Sequence, residues 1–189
     1  VDRDPFTILF VGRLVWYKGV HLLVEALRKV ERFRLLVAGT GPFREELERQ
    51  ARDSGVEDRV DFLGRVSDQE LCQLYASAGV LALPALTERE TLGMVQLEAM
   101  AHGAYVLASD LPGVTTPVET CGGGAVVPRA SAEEWTAALR RLALEIELGV
   151  IDARRTEARL EVLRRHDPGA VYGRFRASWR RVAGLARER

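Results

Sequence analysis

Six short apolar runs punctuate this chain at regular intervals: Thr7–Val11, Arg34–Ala38, Val60–Leu63, Val80–Pro84, Tyr105–Ser109 and Ala125–Pro128. Each is four or five residues long and rich in Val, Leu or Ala, the signature of strands buried on both faces. Between them the apolar positions shift to a helical spacing. Val20, Leu23, Val24 and Leu27 form one stripe, Phe43, Leu47 and Ala51 a second, and Leu71, Leu74, Tyr75 and Ala78 a third. A short helix is predicted over Met94–His102, with Val95, Leu97, Ala99 and Ala101 for packing, and another carries Trp135, Ala138, Leu139 and Leu142. Ser67 with Glu70, and Ser131 with Glu134, stand at capping-box spacing where two of these helices begin. Strands alternating with helices predict a parallel six-stranded sheet covered on both faces, an α/β three-layer sandwich. The sheet core is expected over about residues 6–128 and C-terminal helices over about 131–187, in one domain spanning 1–189. A last stripe, Val171, Phe175, Trp179 and Val182, follows the break at Asp167-Pro168-Gly169; it packs on this domain or on a neighbour.

Composition narrows the class without naming a function. With 189 residues, 47% hydrophobic and 29% charged, the chain suits one soluble domain. No apolar stretch approaches the roughly 20 residues of a membrane span. Val1-Asp2-Arg3-Asp4-Pro5 is polar, unlike a signal peptide, and lacks a methionine, so an excised piece of a longer cytoplasmic protein is expected. Cys72, inside a helix, and Cys121, in a glycine-rich loop, are read as free thiols. His21, His102 and His166 have no zinc or triad spacing; His21 falls off its stripe toward solvent, and His102 suits a helix end. The net charge of zero hides an asymmetry. Eleven arginines against five acids from Asp152 to Arg189 make that segment +6 and the remainder −6. An arginine-rich solvent face is the first reading, peripheral contact with an anionic membrane the alternative, and no nucleic-acid partner is expected.

Candidate chemistry clusters after the strands. Gly12-Arg13-Leu14-Val15-Trp16-Tyr17-Lys18-Gly19 follows the first, in a chain with only two lysines among 27 basic residues. Arg13 offers a planar fork and Lys18 a point charge for phosphate oxygens; two solvated charges are the competing account. Glu90 and Glu98, eight residues apart, bracket the loop and first turns of the predicted Met94 helix, where Gly93 permits close approach to the backbone. Open parallel sheets bind ligands beyond the carboxyl ends of their strands. Arg13, Lys18, Gly39, Gly41, Val66, Glu90 and Gly93 all lie there, so they are expected to converge on a nucleotide-diphosphate site. Gly39-Thr40-Gly41-Pro42 fails the dinucleotide fingerprint, because Arg44 occupies its third glycine position. Gly122-Gly123-Gly124 is not followed by the lysine of a phosphate loop, and no paired-aspartate motif suggests a metal.

Taken in this order and spacing, these motifs, with Val60-Asp61-Phe62-Leu63-Gly64, Leu74-Tyr75-Ala76 and Glu98-Ala99-Met100-Ala101-His102-Gly103, make the chain resemble a known family. It is similar to the C-terminal, donor-binding domain of GT-B glycosyltransferases of family 4, the retaining group 1 enzymes, over about Phe6 to Pro128 and more loosely to Leu148. The resemblance implies a Rossmann-like half of a GT-B fold that takes a UDP-, GDP- or ADP-sugar without a metal or other cofactor. It implies that Arg13 and Lys18 hold the diphosphate and steady the leaving group beside Gly12 and Gly39. Glu90 meets the transferred sugar with backbone N–H groups of Thr91, Leu92, Gly93, Met94 and Val95; Glu98 holds the ribose; Arg65 and Val66 flank the base. Glu90, Arg13 and Lys18 are thus the expected catalytic groups. Two departures stand out: Thr115-Thr116 where a proline–glutamate pair is common, and Thr91-Leu92 where a glycine and an aromatic are common. The N-terminal acceptor domain of such enzymes has no counterpart here, so the isolated chain is expected to bind donor and transfer sugar poorly. A non-catalytic nucleotide-binding module working with a partner chain is the alternative.

Overall fold

A computed structural model describes residues 2–128, 131–167 and 169. Six strands, β1 (Asp4–Val11), β2 (Arg34–Ala38), β3 (Val60–Gly64), β4 (Ala78–Leu83), β5 (Tyr105–Ser109) and β6 (Gly124–Val127), form one sheet in the order β3-β2-β1-β4-β5-β6. All neighbouring strands are parallel. Among the described residues seven α-helices connect and flank them: α1 (Val20–Leu27), α2 (Arg44–Asp53), α3 (Asp68–Ser77), α4 (Met94–Ala101), α5 (Thr116–Cys121), α6 (Ala132–Glu147) and α7 (Val150–His166). The predicted Trp179 stripe lies outside the described residues.

Strand alternation builds two cores from one sheet, since successive side chains point to opposite faces. Ile8 and Phe10 enter the layer that α1, α2 and α6 cover, with Leu23, Leu47, Trp135 and Leu139. Leu9 enters the other, with Tyr75, Leu97, Met100 and Val162 from α3, α4 and α7. The chain winds outward from β1 through β2 to β3, then restarts at β4 and winds the other way. This reversal leaves a crevice beyond the ends of β1 and β4, the place where such sheets accept ligands.

Local expectations needed revision where tertiary contacts dominate. Ala78 opens β4 instead of closing the α3 stripe. In α4 the buried positions are Gln96, Leu97, Ala99 and Met100, while Val95 and Ala101 are half-buried. A 3.6-residue repeat groups 96, 97 and 100 on one side, which the alternating set 95, 97, 99 and 101 cannot do. The Thr115-Thr116 segment begins α5, with Pro117 in its first turn, and Cys121 is a buried residue of that helix. His21 is half-buried, its ring edge-on to Phe43 at 5.9 Å, and burial pushes its pKa down, because α1 and α2 close over it. On α7, Arg155 is buried and donates to the Gly79 carbonyl at 2.8 Å, so the arginines of this helix do not all face solvent.

Candidate functional site

The loops after β1, β2 and β3 are laced together by backbone hydrogen bonds. Gly12 N–H donates to the Ala38 carbonyl at 3.0 Å, Leu14 to Thr40 at 2.9 Å, and Gly39 to Gly64 at 2.8 Å. Two glycines permit this closeness. A Cβ on Gly39 would lie 1.9 Å from the Gly12 oxygen, and one on Gly41 would lie 2.2 Å from the Leu14 oxygen. The result is an open cleft of about 560 Å³ lined by Gly12, Arg13, Gly39, Thr40, Pro42, Arg65, Val66 and Leu71, among others. Arg13 and Arg65 are exposed and have no hydrogen-bond or carboxylate partner among the described residues. Two uncommitted guanidinium groups at one cleft mark a place for an anion.

The far end of the same β1 loop reaches across the crevice. Trp16–Lys18 make one 3₁₀ turn, and Gly19 follows with φ 74°, a left-handed conformation natural to glycine. A Cβ there would fall 1.8 Å from the Pro84 oxygen, just past β4. Leu86 N–H donates to the Tyr17 carbonyl at 2.8 Å, so the two loops are latched. This latch carries Lys18 to Glu90: the ammonium donates to Glu90 Oε2, with side-chain exposures of 18% and 12%. Glu88 and Arg89, by contrast, are exposed, and Arg89 lies over the Tyr17 ring at 5.4 Å.

Beyond Glu90 the chain turns into α4 through Gly93, φ 65°, with no side chain capping the helix. Gln96 N–H donates to the Gly93 carbonyl at 2.9 Å, while the Met94 and Val95 N–H groups have no partner among the described residues and remain available to a ligand. Thr91 is exposed, Leu92 half-buried, and Met94 56% exposed at the rim. Gln96 steadies this entry from inside. Its Nε2 donates to the Leu92 carbonyl at 3.0 Å and the Val114 carbonyl at 2.9 Å, tying the α4 entry to the loop after β5. Glu98 lies a turn further on, where its Oε2 accepts the Tyr75 hydroxyl at 2.8 Å.

The structure thus gathers Gly12, Arg13, Gly39, Arg65 and Val66 in one cleft, joins Lys18 to Glu90, and sets Thr91–Val95 and Glu98 along the start of α4. Direct pairing of Lys18 with Glu90 was not anticipated, nor were the parts of Gln96 and Tyr75. A polar residue amid an apolar helix was the available signal for Gln96. Among the described residues no group of three or more His, Cys, Asp or Glu side chains is placed to hold a metal, and no helix is long and apolar enough to cross a membrane.

The profile of the family described as glycosyl transferases group 1 matches residues 1–149. The chain belongs to the group 1 glycosyltransferases. Over 153 residues it is 36% identical to the GDP-mannose-dependent alpha-(1-6)-phosphatidylinositol monomannoside mannosyltransferase of Mycobacterium tuberculosis, covering 76% of this chain and 40% of that protein. It is 42% identical over 117 residues to the uncharacterized glycosyltransferase MJ1607 of Methanocaldococcus jannaschii, covering 60% of this chain and 30% of the relative. Among solved structures, Anabaena Alr3699/HepE in complex with UDP-glucose superposes with a TM-score of 0.80 at 25% identity, over 92% of this chain and 48% of that one. This group 1 glycosyltransferase therefore has the α/β, Rossmann-like sheet of a GT-B domain. It spans 30–40% of the length of these curated relatives.

Proposed function

We propose that the chain is the C-terminal, donor-binding half of a retaining hexosyltransferase, with the acceptor site on a second, N-terminal domain. The observation that carries this reading is a set of cations beyond the strand ends: Arg13 and Arg65 line the cleft with guanidinium groups unpaired among the described residues, and Lys18 is paired with Glu90. A nucleoside diphosphate supplies the matching charge. Support for the donor class comes from the relatives, since HepE was solved with UDP-glucose and the mycobacterial enzyme depends on GDP-mannose.

In this reading the diphosphate lies between the Gly12–Arg13 turn and the start of α4. Lys18 exchanges its carboxylate partner for a phosphate oxygen, and the released Glu90 accepts from hydroxyls of the transferred sugar. Backbone N–H groups from Leu92 to Val95 reach sugar and phosphate. Glu98 accepts from the ribose, and the backbone at Arg65-Val66 meets the base. As the bond from sugar to diphosphate breaks, negative charge grows on the leaving oxygen. Arg13, Lys18 and the α4 amino end then lie against that oxygen and stabilise the charge, with no metal in the proposed step. Because HepE is about twice as long as the matched region, the acceptor and the remaining active-site groups are assigned to the missing half. The isolated chain then binds donor but transfers sugar weakly.

Calorimetric titration with UDP, GDP, ADP and dTDP, then with their sugar conjugates, tests this. One nucleotide series binds, and Lys18→Ala weakens it by about 1–3 kcal/mol, the worth of a charge-assisted hydrogen bond. Absence of binding by every nucleotide overturns the site; robust sugar transfer by the chain alone overturns the half-enzyme reading.

A further inference from the structure

Glu98 protrudes from α4 as an exposed carboxylate, and such a side chain ordinarily samples several rotamers. Here one oxygen is held. Oε2 accepts the Tyr75 hydroxyl at 2.8 Å, while Oε1 has no hydrogen-bond partner among the described residues. The phenol that holds it is itself immobilised. Tyr75 is only 2% exposed, and its ring stacks on His102 at 5.6 Å with an interplanar angle of 29°. His102 Nδ1 lies 2.8 Å from the Glu98 carbonyl, so ring and carboxylate are referenced to the same turn of α4. From below, the Arg3 guanidinium bonds the Tyr75 carbonyl at 3.2 Å and also the carbonyls of Ala78 and His102. The end of α3, the beginning of β4 and the end of α4 are thereby fastened together under one hydroxyl.

We propose that Tyr75 is a positioning residue that aims the Glu98 carboxylate at the ribose diol of the donor. This rests on the ribose role proposed for Glu98 and adds the reason that carboxylate is ready before the donor arrives. Held by one oxygen, Glu98 presents the other, and the second lone pair of Oε2, in a fixed direction. Two neighbouring hydroxyls then find their acceptor without first freezing a mobile side chain. Burial, followed by the bond to Glu98, pushes the Tyr75 pKa up, so its hydroxyl stays protonated and donates. A carboxylate accepts only, so the polarity of the contact has one sense. The contact is also well suited to being a simple strut between α3 and α4, and the test must separate the two.

Calorimetric titration of UDP and of its 2′,3′-dideoxy analogue (or the GDP or ADP pair, if that nucleotide binds) into the wild-type chain, Tyr75→Phe, Glu98→Ala and the double variant does so. Tyr75→Phe is expected to weaken the ribonucleotide about fivefold, leave the dideoxy analogue unchanged, and add nothing in the Glu98→Ala background. Glu98→Asp, which withdraws the carboxylate from the phenol while keeping its charge, is expected to erase the same ribose preference through an intact Tyr75. Equal losses for both nucleotides, or a fall in melting temperature without loss of ribose preference, make the contact a strut and overturn the proposal. If Glu98→Ala binds the ribonucleotide as tightly as wild type, the ribose role of Glu98 fails and the proposal with it. If Glu98→Ala loses ribose preference and Tyr75→Phe keeps it, only the positioning role falls.

Discussion

Replacing Gly19 by alanine tests the latch that carries Lys18 to Glu90. At φ 74° a side chain is strained whatever the space, at about 1–2 kcal/mol. The new Cβ would also fall 1.8 Å from the Pro84 oxygen, a backbone atom that can yield only if the segment after β4 moves. Forced displacement in a packed region adds about 1–3 kcal/mol. A combined loss of about 3 kcal/mol corresponds to a drop of about 6–12 °C in melting temperature for a chain of this size. Gly55→Ala is the matched control. It has φ 64° with nothing among the described residues within 4 Å of the added carbon, so it carries the strain alone, about 2–8 °C. Scanning calorimetry of the two variants, followed by nucleotide titration of each, separates strain from displacement. Gly19→Ala is expected to melt well below Gly55→Ala and to lose nucleotide affinity, while Gly55→Ala keeps it. Equal melting temperatures, or undiminished affinity in Gly19→Ala, would refute the claim that this close approach builds the site.

Gln96→Leu removes the donor shared by the Leu92 and Val114 carbonyls, and it also removes Oε1, a buried oxygen with no partner among the described residues. Two lost bonds offset by one relieved oxygen leave a destabilisation of about 1–2 kcal/mol, a fall of about 2–8 °C in a thermal melt. Donor affinity should fall too, because the entry to α4 loses its anchor; unchanged affinity would make Gln96 a core residue only. On α7, bonds from Arg164 and Arg165 hold the Glu161 carboxyl down at about 2. Its folded-state pKa lies below the ordinary 4.5, so its contribution to α7 is present above that value and is lost as pH falls through about 2. A carboxyl NMR titration should show that low midpoint, and one near 4.5 would mean the arginines do not hold it.

Much of the sheet could be read directly, because parallel strands buried on both faces appear as continuous apolar runs. Arg34–Ala38 and Tyr105–Ser109 match those runs end for end. Parts that depend on distant neighbours could not be read in the same way. The α4 register was misjudged because Gln96 is polar, yet it is fully buried by carbonyls that only the folded chain supplies. Arg155 reads as a surface charge until the Gly79 carbonyl, 76 residues away, is placed beside it. Strand ends pointed to Arg13, Gly39 and Val66, which line one cleft because sheet topology brings the ends of β1, β2 and β3 together. The pairing of Lys18 with Glu90, 72 residues apart, required the Gly19 contact with Pro84, which no local pattern announces.

The most direct measurement is a crystal structure of this chain with the nucleotide sugar that titration selects. The account predicts the diphosphate against Arg13, Lys18 and the first turn of α4, the sugar beside Glu90, and the ribose on Glu98. A nucleotide seated elsewhere, or one that leaves the Lys18–Glu90 pair intact with its diphosphate turned away from Arg13, would contradict it.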